Sequence, residues 1–204
     1  MKRVIVESRC EFVTEDALSR AKEFVPLDVA VGLESTNDEV REECIGKGMR
    51  FEEYLRVVKL TSKLNVGLKT YLLLKPPFLS EDEAIRDTIT SINELMRLGI
   101  HTRISINICN VQAGTLVERL WKNGEYRPPW LWSALHILRY AKKTYPDLVV
   151  MSDPVGYGKN RGPHNCGECD QMVASAIKSF SETQDIRNLD DAFRVGCECL
   201  ENWR

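Results

Sequence analysis

The sequence predicts an α/β fold: a parallel sheet followed by a small, cysteine-clasped helical tail. Three observations carry this reading. Apolar strand-like runs alternate with amphipathic helical stretches along the 204 residues, the pattern of parallel strands joined by right-handed crossovers. The run "DVAVGLES" (28–35) is too apolar for a strand with one solvated face and suits a strand buried within a parallel sheet. The final stretch holds two closely spaced cysteine pairs, Cys166 with Cys169 and Cys197 with Cys199. A barrel, a part-barrel and an open doubly wound sheet all fit the alternation.

The elements follow in order. "RVIVESR" (3–9) reads as a first strand, and "TEDALSRAKEF" (14–24) places Ala17, Leu18, Ala21 and Phe24 at helical spacing. After the strand at 28–35, Thr36 and Glu39 form a candidate capping box. A helix at 51–64 leads to a third strand within 65–77, stopped by Pro76 and Pro77. A second capping box, Ser80 and Glu83, opens a helix over 80–99, with Gly99 suited to its C-terminal cap. A fourth strand is expected at 102–109, a helix at 128–145 and a fifth strand at 147–154. The Gly-rich loop "GYGKNRGPHNCGECD" precedes two final helices near 170–181 and 188–200. These patterns divide the chain into a barrel-like part, 1–155, and a cysteine-rich tail, 156–204.

Composition narrows the function classes. The formal net charge of −2 argues against a broad nucleic-acid-binding surface, while leaving room for a local patch such as Arg127, Lys159 and Arg161. No apolar run reaches the length of a membrane span, and the charged start lacks the pattern of a signal peptide. The expected location is the cytoplasm, where seven cysteines point to metal binding or buried thiols more than to disulfides.

Cys-x2-Cys lets two thiolates reach one ion from a tight turn, which Gly167 eases. With Cys197 and Cys199 the set matches a structural tetrahedral zinc site. Residues two apart on a regular helix point about 200° apart. Either the last helix breaks at Gly196, therefore, or His164 replaces one of the pair. Cys10, Cys44 and Cys109 stand alone and read as packing thiols. Ligands in parallel α/β folds bind at the carboxyl ends of strands. The polar residues to weigh there are Arg9, Glu34, Ser35, Lys75, Asn107 and Asn110. "KPPF" also admits a rigid loop bearing a surface lysine.

The segments "VIVESRCEFVTEDAL" and "DVAVGLESTNDEVREECIGKGM" resemble the third and fourth strands and following helices of radical S-adenosylmethionine enzymes related to the Elongator catalytic subunit. "YLLLKPPFLSEDEAI", "YRPPWLW", "RGPHNCGECD" and "SETQD" resemble, more specifically, the archaeal archaeosine-forming members, and the likeness runs through the whole chain. The resemblance implies a part-barrel of that type lacking its first strands. It implies a reaction in which an iron–sulfur cluster reduces S-adenosylmethionine and the adenosyl radical converts a lysine-bearing 7-deazaguanine base of tRNA to archaeosine. It further implies a separate transferase that attaches the lysine beforehand. By motif position, Glu34 would meet the ribose of S-adenosylmethionine beside Ser35, Lys47 its carboxylate, and Asn107 and Asn110 the same cofactor.

One departure is large. The family's cluster motif is Cys-x3-Cys-x2-Cys, and no three cysteines here have that spacing. The chain is therefore expected to match the C-terminal part only and to be inactive without a cluster-bearing segment. Its first strand should then present an unpaired edge to that partner or to a second copy. The alternative expectation is an inactive tRNA-binding or scaffolding module on a truncated barrel.

Overall fold

A computed structural model describes residues 3–203. Five strands form one sheet: β1 (Val4–Ser8), β2 (Leu27–Glu34), β3 (Gly67–Leu74), β4 (Arg103–Ile108) and β5 (Val150–Ser152), in the order β1-β2-β3-β4-β5. The order follows the chain without reversal. A doubly wound sheet reverses direction at a switch point, so the open parallel sheet is of the part-barrel kind. The helices are α1 (Glu15–Lys22), α2 (Phe51–Leu64), α3 (Glu81–Arg97), α4 (Leu116–Lys122), α5 (Leu131–Thr144), α6 (Asp170–Thr183), α7 (Arg187–Val195) and α8 (Cys199–Trp203). Among the described residues no helix is long and apolar enough to cross a membrane.

The chain divides into two compact units. The first comprises the residues up to Leu72 together with Thr90–Ser105. Here β1 pairs parallel with β2, Val4 opposite Leu27 through Ser8 opposite Val31, and β2 pairs parallel with β3. β2 is buried along nearly its whole length, as its unbroken apolar run requires. β3 alternates instead: Leu68, Thr70 and Leu72 are buried, while Lys69 and Tyr71 keep partial exposure on the other face. β1 differs from both. Val4, Ile5 and Val6 are 42%, 48% and 46% exposed. Successive strand residues point to opposite faces, so this edge strand is uncovered on both sides.

Thr14 caps α1, its hydroxyl accepting from Ala17 N at 3.3 Å. A polar chain ties α2 to the sheet, Tyr54 Oη to Thr70 Oγ1 at 2.7 Å and Thr70 Oγ1 to Thr102 Oγ1 at 2.8 Å. The Thr36–Glu39 capping box does not form. Asn37 accepts from Glu39 N at 2.9 Å, while Thr36 N and its hydroxyl both donate to Ser91 Oγ. The Asn37 carboxamide takes the turn's amide instead, and Thr36 is drawn inward by a buried acceptor. A π-helical turn, Val40–Ile45, follows and ends at Gly46, φ +67°.

The second unit comprises Leu73–Ile89 and the described residues from Ile106 onward, and those of the stretch 156–204 fall inside it. The Ser80–Glu83 capping box at α3 forms as expected, Ser80 N donating to Glu83 Oε2 at 2.8 Å and Glu83 N to Ser80 Oγ at 3.3 Å. α5 is its core: Leu131, Trp132, Ala134, Leu135, Ile137, Leu138 and Ala141 are fully buried. α4 was not anticipated. It has a capping residue, Thr115, which accepts from Glu118 N at 3.2 Å, but no buried residue of its own. Val117, Leu120 and Trp121 pack only at the margin of the Cys109–Val111–Tyr126 cluster.

Candidate functional site

In the second unit, the loop after Pro163 and the end of α7 bring four thiols together. Cys166, Cys169, Cys197 and Cys199 have sulfur atoms all within 4.8 Å of one another. The separations are 3.9 Å for Cys166–Cys169, 3.7 Å for Cys166–Cys197 and 3.6 Å for Cys169–Cys199. Four thiolates about 2.3 Å from one zinc ion stand about 3.8 Å apart at tetrahedral corners. The set therefore fits a single tetrahedral ion and is too tight for four irons.

Local sequence explains the convergence. Gly167 takes φ +96° and turns the first pair inward. Asp170, at the start of α6, accepts from Asn165 N at 2.8 Å and Gly167 N at 3.2 Å, which holds the turn. α7 stops at Gly196, φ +62° and ψ −170°, so Cys197 and Cys199 leave the helical direction and both reach the cluster. His164 stands apart, its Nδ1 2.8 Å from Gly162 O. Asn165 Nδ2 and Trp132 Nε1 donate to the sulfurs of Cys169 and Cys199 at 3.3 Å and 3.4 Å. Such donors stabilise negative sulfur. Burial opposes ionisation of Cys166, but the amides of Cys169 and Glu168 and the thiols of Cys199 and Cys197 together outweigh it and lower its pKa to about 7. Burial raises Cys169 and Cys199, so an ion there must displace their protons.

The first unit holds the strand-end carboxylate. β2 ends at Glu34, a non-glycine residue at φ +69°. Backbone of this kind costs energy and gathers at functional sites. Glu34 Oε1 accepts from Lys47 Nζ at 2.6 Å, and both side chains keep some exposure, 15% and 23%. Glu34 Oε2 has no hydrogen-bond partner among the described residues. Gly32 makes the arrangement possible: a Cβ there would lie 2.7 Å from Lys47 Nζ and closer still to Glu34 Oε1. Ser35 is fully buried, its hydroxyl accepting from Asn37 N at 3.0 Å and its carbonyl taking the Arg41 guanidinium.

The remaining candidates lie in the second unit or on the first unit's sheet. Asn107 is exposed near the end of β4, and Asn110 is half-buried, donating to Ile108 O at 3.2 Å. Lys75, read as a possible surface lysine, is buried. It takes φ +57° immediately after β3 and pairs with Glu81 Oε2 at 2.7 Å. Glu81 Oε1 accepts from Trp130 N at 2.9 Å and from Ser133 Oγ, which accepts from Trp203 Nε1 at 2.8 Å. Residue-by-residue reading also passed over Glu7, Lys69 and Tyr71 on the first unit's sheet. Tyr71 Oη donates to Glu7, and Lys69 Nζ lies 4.7 Å from the Tyr71 ring centroid. Only strand register brings these three together.

No family model matches the chain. It is 45% identical to archaeosine synthase subunit beta of Methanosarcina acetivorans over 205 residues, 99% of this chain and 58% of that protein. It is 43% identical to archaeosine synthase subunit beta of Thermococcus kodakarensis over 208 residues, 100% of this chain and 62% of that protein. The chain thus spans about three-fifths of the length of these relatives. Among solved structures, Methanocaldococcus infernus Elp3 with an N-terminal deletion superposes with a TM-score of 0.65 at 18% identity, covering 88% of this chain and 41% of that one. That likeness establishes the fold. In sequence the chain is similar, along its whole length, to about three-fifths of these archaeosine synthase beta subunits.

Proposed function

We propose that the chain is the C-terminal part of a radical S-adenosylmethionine enzyme that modifies tRNA, converting a lysine-bearing 7-deazaguanine base to archaeosine. The observation that carries this reading is the Glu34–Lys47 pair at the carboxyl end of β2. It offers a carboxylate with a vacant oxygen and a cation 2.6 Å from the other, on backbone held at φ +69°. Those groups suit a ligand with hydroxyl donors and a carboxylate, the two ends of S-adenosylmethionine. Glu34 would accept from the ribose hydroxyls, and Lys47 would swing from Glu34 to the ligand's carboxylate. Support for Ser35, Asn107 and Asn110 comes from the family resemblance alone, and the buried Ser35 side chain leaves it only a backbone role.

When bound beside an iron–sulfur cluster, S-adenosylmethionine supplies one-electron chemistry. The cysteines described here do not fit such a cluster, since the four that converge enclose a single ion. The cluster would reside on polypeptide outside these residues. In this reading the four thiolates bind zinc, and with four protein ligands that site is closed and structural. It fixes the tail that carries Trp203 and Arg127's partners, His164 and Asn165. The proposed partners are tRNA, the lysine-transferring enzyme and a cluster-bearing segment. The last would pair with the edge of β1, whose three apolar side chains lie uncovered. A second copy of the chain is the competing occupant of that edge.

The test is a titration of S-adenosylmethionine and lysine-modified tRNA into the chain, with and without a complementary cluster-bearing fragment. The expected result is cofactor cleavage and archaeosine formation by the reconstituted pair, lost in Glu34→Gln. Salt-dependent tRNA binding with no response to S-adenosylmethionine would instead indicate a binding or scaffolding module.

A further inference from the structure

Within the second unit, the loop bearing Lys159 and Arg161 folds beside Arg127 at the carboxyl ends of β3 and β4. Tyr126 Oη donates to Lys75 O, just beyond β3, at 2.8 Å. Val111 N, just beyond β4, donates to Arg161 O at 2.8 Å. Gly162 packs so closely that a Cβ there would lie 2.1 Å from Gly156 O and 3.1 Å from Asn110 Oδ1. These ties hold the two segments over the strand ends, where parallel α/β proteins bind ligands. Between them lies a recess of about 330 Å³, lined by Trp121, Tyr126, Arg127, Pro128, Asn160 and His164. Its volume is that of a small-molecule site.

Its walls are flat and apolar, and several polar groups on them are unused. Tyr126 commits its hydroxyl to Lys75, so its ring serves as wall. Trp121 is half-buried, with the Arg161 guanidinium 5.0 Å from its ring centroid, and its indole N–H has no partner among the described residues. His164 Nδ1 lies 2.8 Å from Gly162 O. A carbonyl only accepts, so Nδ1 carries the hydrogen and Nε2 is the ring atom left for a ligand. Arg127 stacks 3.9 Å over Trp130 and donates to Pro128 O, His164 O and Asn165 O. Those three bonds do not exhaust its guanidinium donors. Glu81 and Asp170 oppose its charge from beyond ion-pair distance. Asn160 is exposed and offers both a donor and an acceptor. No carboxylate lines the recess. A cationic ligand would therefore meet Arg127 and the exposed Lys159 without a counter-charge. A bare phosphate would leave Trp121, Tyr126 and Pro128 facing water. A flat ring that carries a phosphate uses both kinds of wall.

We infer that this recess binds one nucleotide of an RNA strand, its base against Trp121 and its phosphate toward Arg127 and Lys159. His164 Nε2 and the Asn160 carboxamide meet the base edge. Stacking supplies affinity for any base, since every base has an aromatic face. That the strand is RNA, and belongs to the tRNA substrate, rests on the function proposed above.

The test titrates the full chain with GMP, guanosine and inorganic phosphate, following the Trp121 indole N–H by NMR. GMP should bind about tenfold more tightly than either fragment. A single-stranded RNA hexamer should move the same peak at lower concentration than GMP. Trp121→Ala, read on the amides around Asn160, should weaken GMP about tenfold and leave phosphate unchanged. Lys159→Gln should weaken GMP and phosphate alike, about threefold, with a shallower salt dependence. Asn160→Ala, on an exposed side chain, should weaken GMP and guanosine about threefold and phosphate not at all. A Trp121 peak that stays in place with GMP or the hexamer, equal binding of GMP and its fragments, or a preference for GMP that survives Trp121→Ala overturns the inference. The ligand series on the unaltered chain decides it even where a variant fails to fold. A chain that binds GMP here yet ignores S-adenosylmethionine keeps the recess and loses the proposed enzyme. The reverse pattern loses the recess alone.

Discussion

Two lysine–carboxylate pairs stand at the carboxyl ends of neighbouring strands, one in each unit, and they do different work. Glu34 with Lys47 follows β2, and Glu81 with Lys75 follows β3. Both involve a strand-end residue in the left-handed region, Glu34 at φ +69° and Lys75 at φ +57°. The second pair is saturated. Glu81 also holds Trp130 N and Ser133 Oγ, and Trp203 braces Ser133. Tyr126 Oη adds a donor to Lys75 O at 2.8 Å. The first pair has one hydrogen bond and an unfilled acceptor. A carboxylate whose lone pairs are filled from its own chain is a strut. One with a vacant oxygen at a strand end is equipped for a ligand. Residue type and position were alike, and hydrogen-bond accounting separates them.

This contrast can be broken by experiment, beginning with the largest effect. Stripping the metal proposed at the four thiolates should release α8, and with it the Trp203 brace on the strut. The expected loss is several kcal/mol, a fall in Tm of about 10 °C or more. Hydrogen exchange should accelerate in the second unit and stay unchanged around Glu34. A chelator that leaves the melting curve in place would remove the metal from the account.

Next comes Glu81→Gln, which leaves Lys75 buried without its counter-ion. We expect a loss of about 3 kcal/mol in denaturant unfolding. A loss below about 1 kcal/mol would show the second pair to be no strut. Glu34→Gln should cost less than about 1 kcal/mol, since that pair is partly solvated. It should nevertheless weaken S-adenosylmethionine about tenfold or more in a binding titration. Gly32→Ala should mimic it. The new methyl would displace the flexible ends of Glu34 and Lys47 rather than backbone, so affinity should fall while stability changes little.

The smallest effect concerns pH. Burial first, then the hydrogen bond to Glu7, raises the Tyr71 phenol from 10.0 to about 12. A folded-state pKa above the unfolded one gives stability that is full below pH 10 and lost as pH rises through about 12. Solvent screening keeps the amount under about 1 kcal/mol. Tyr71→Phe should flatten that part of the alkaline stability curve, and an unchanged slope would mean that the fold does not raise the Tyr71 phenol.

Much of the fold was legible because its signals are local. β2 announces itself by an unbroken apolar run, and α3 by the Ser80–Glu83 box that forms as read. Thr36 misled because a buried partner 55 residues away in sequence, Ser91, claimed its hydroxyl and left the cap to Asn37. α4 was missed because a seven-residue helix with no buried residue makes no periodic stripe. The cysteine spacing named the four thiols, and the incompatibility of Cys197 and Cys199 with one helix pointed to Gly196 as a break.

By itself the sequence determined the strand–helix alternation, the identity of the four converging thiols and the acid at the end of β2, because each depends on neighbours along the chain. Tertiary structure alone decided that Lys75 is buried, that Glu34 keeps a free oxygen, and that Glu7, Lys69 and Tyr71 share one face. Those outcomes turn on register and on competition for hydrogen bonds between residues far apart in sequence, where burial and distance, not residue type, set the energy.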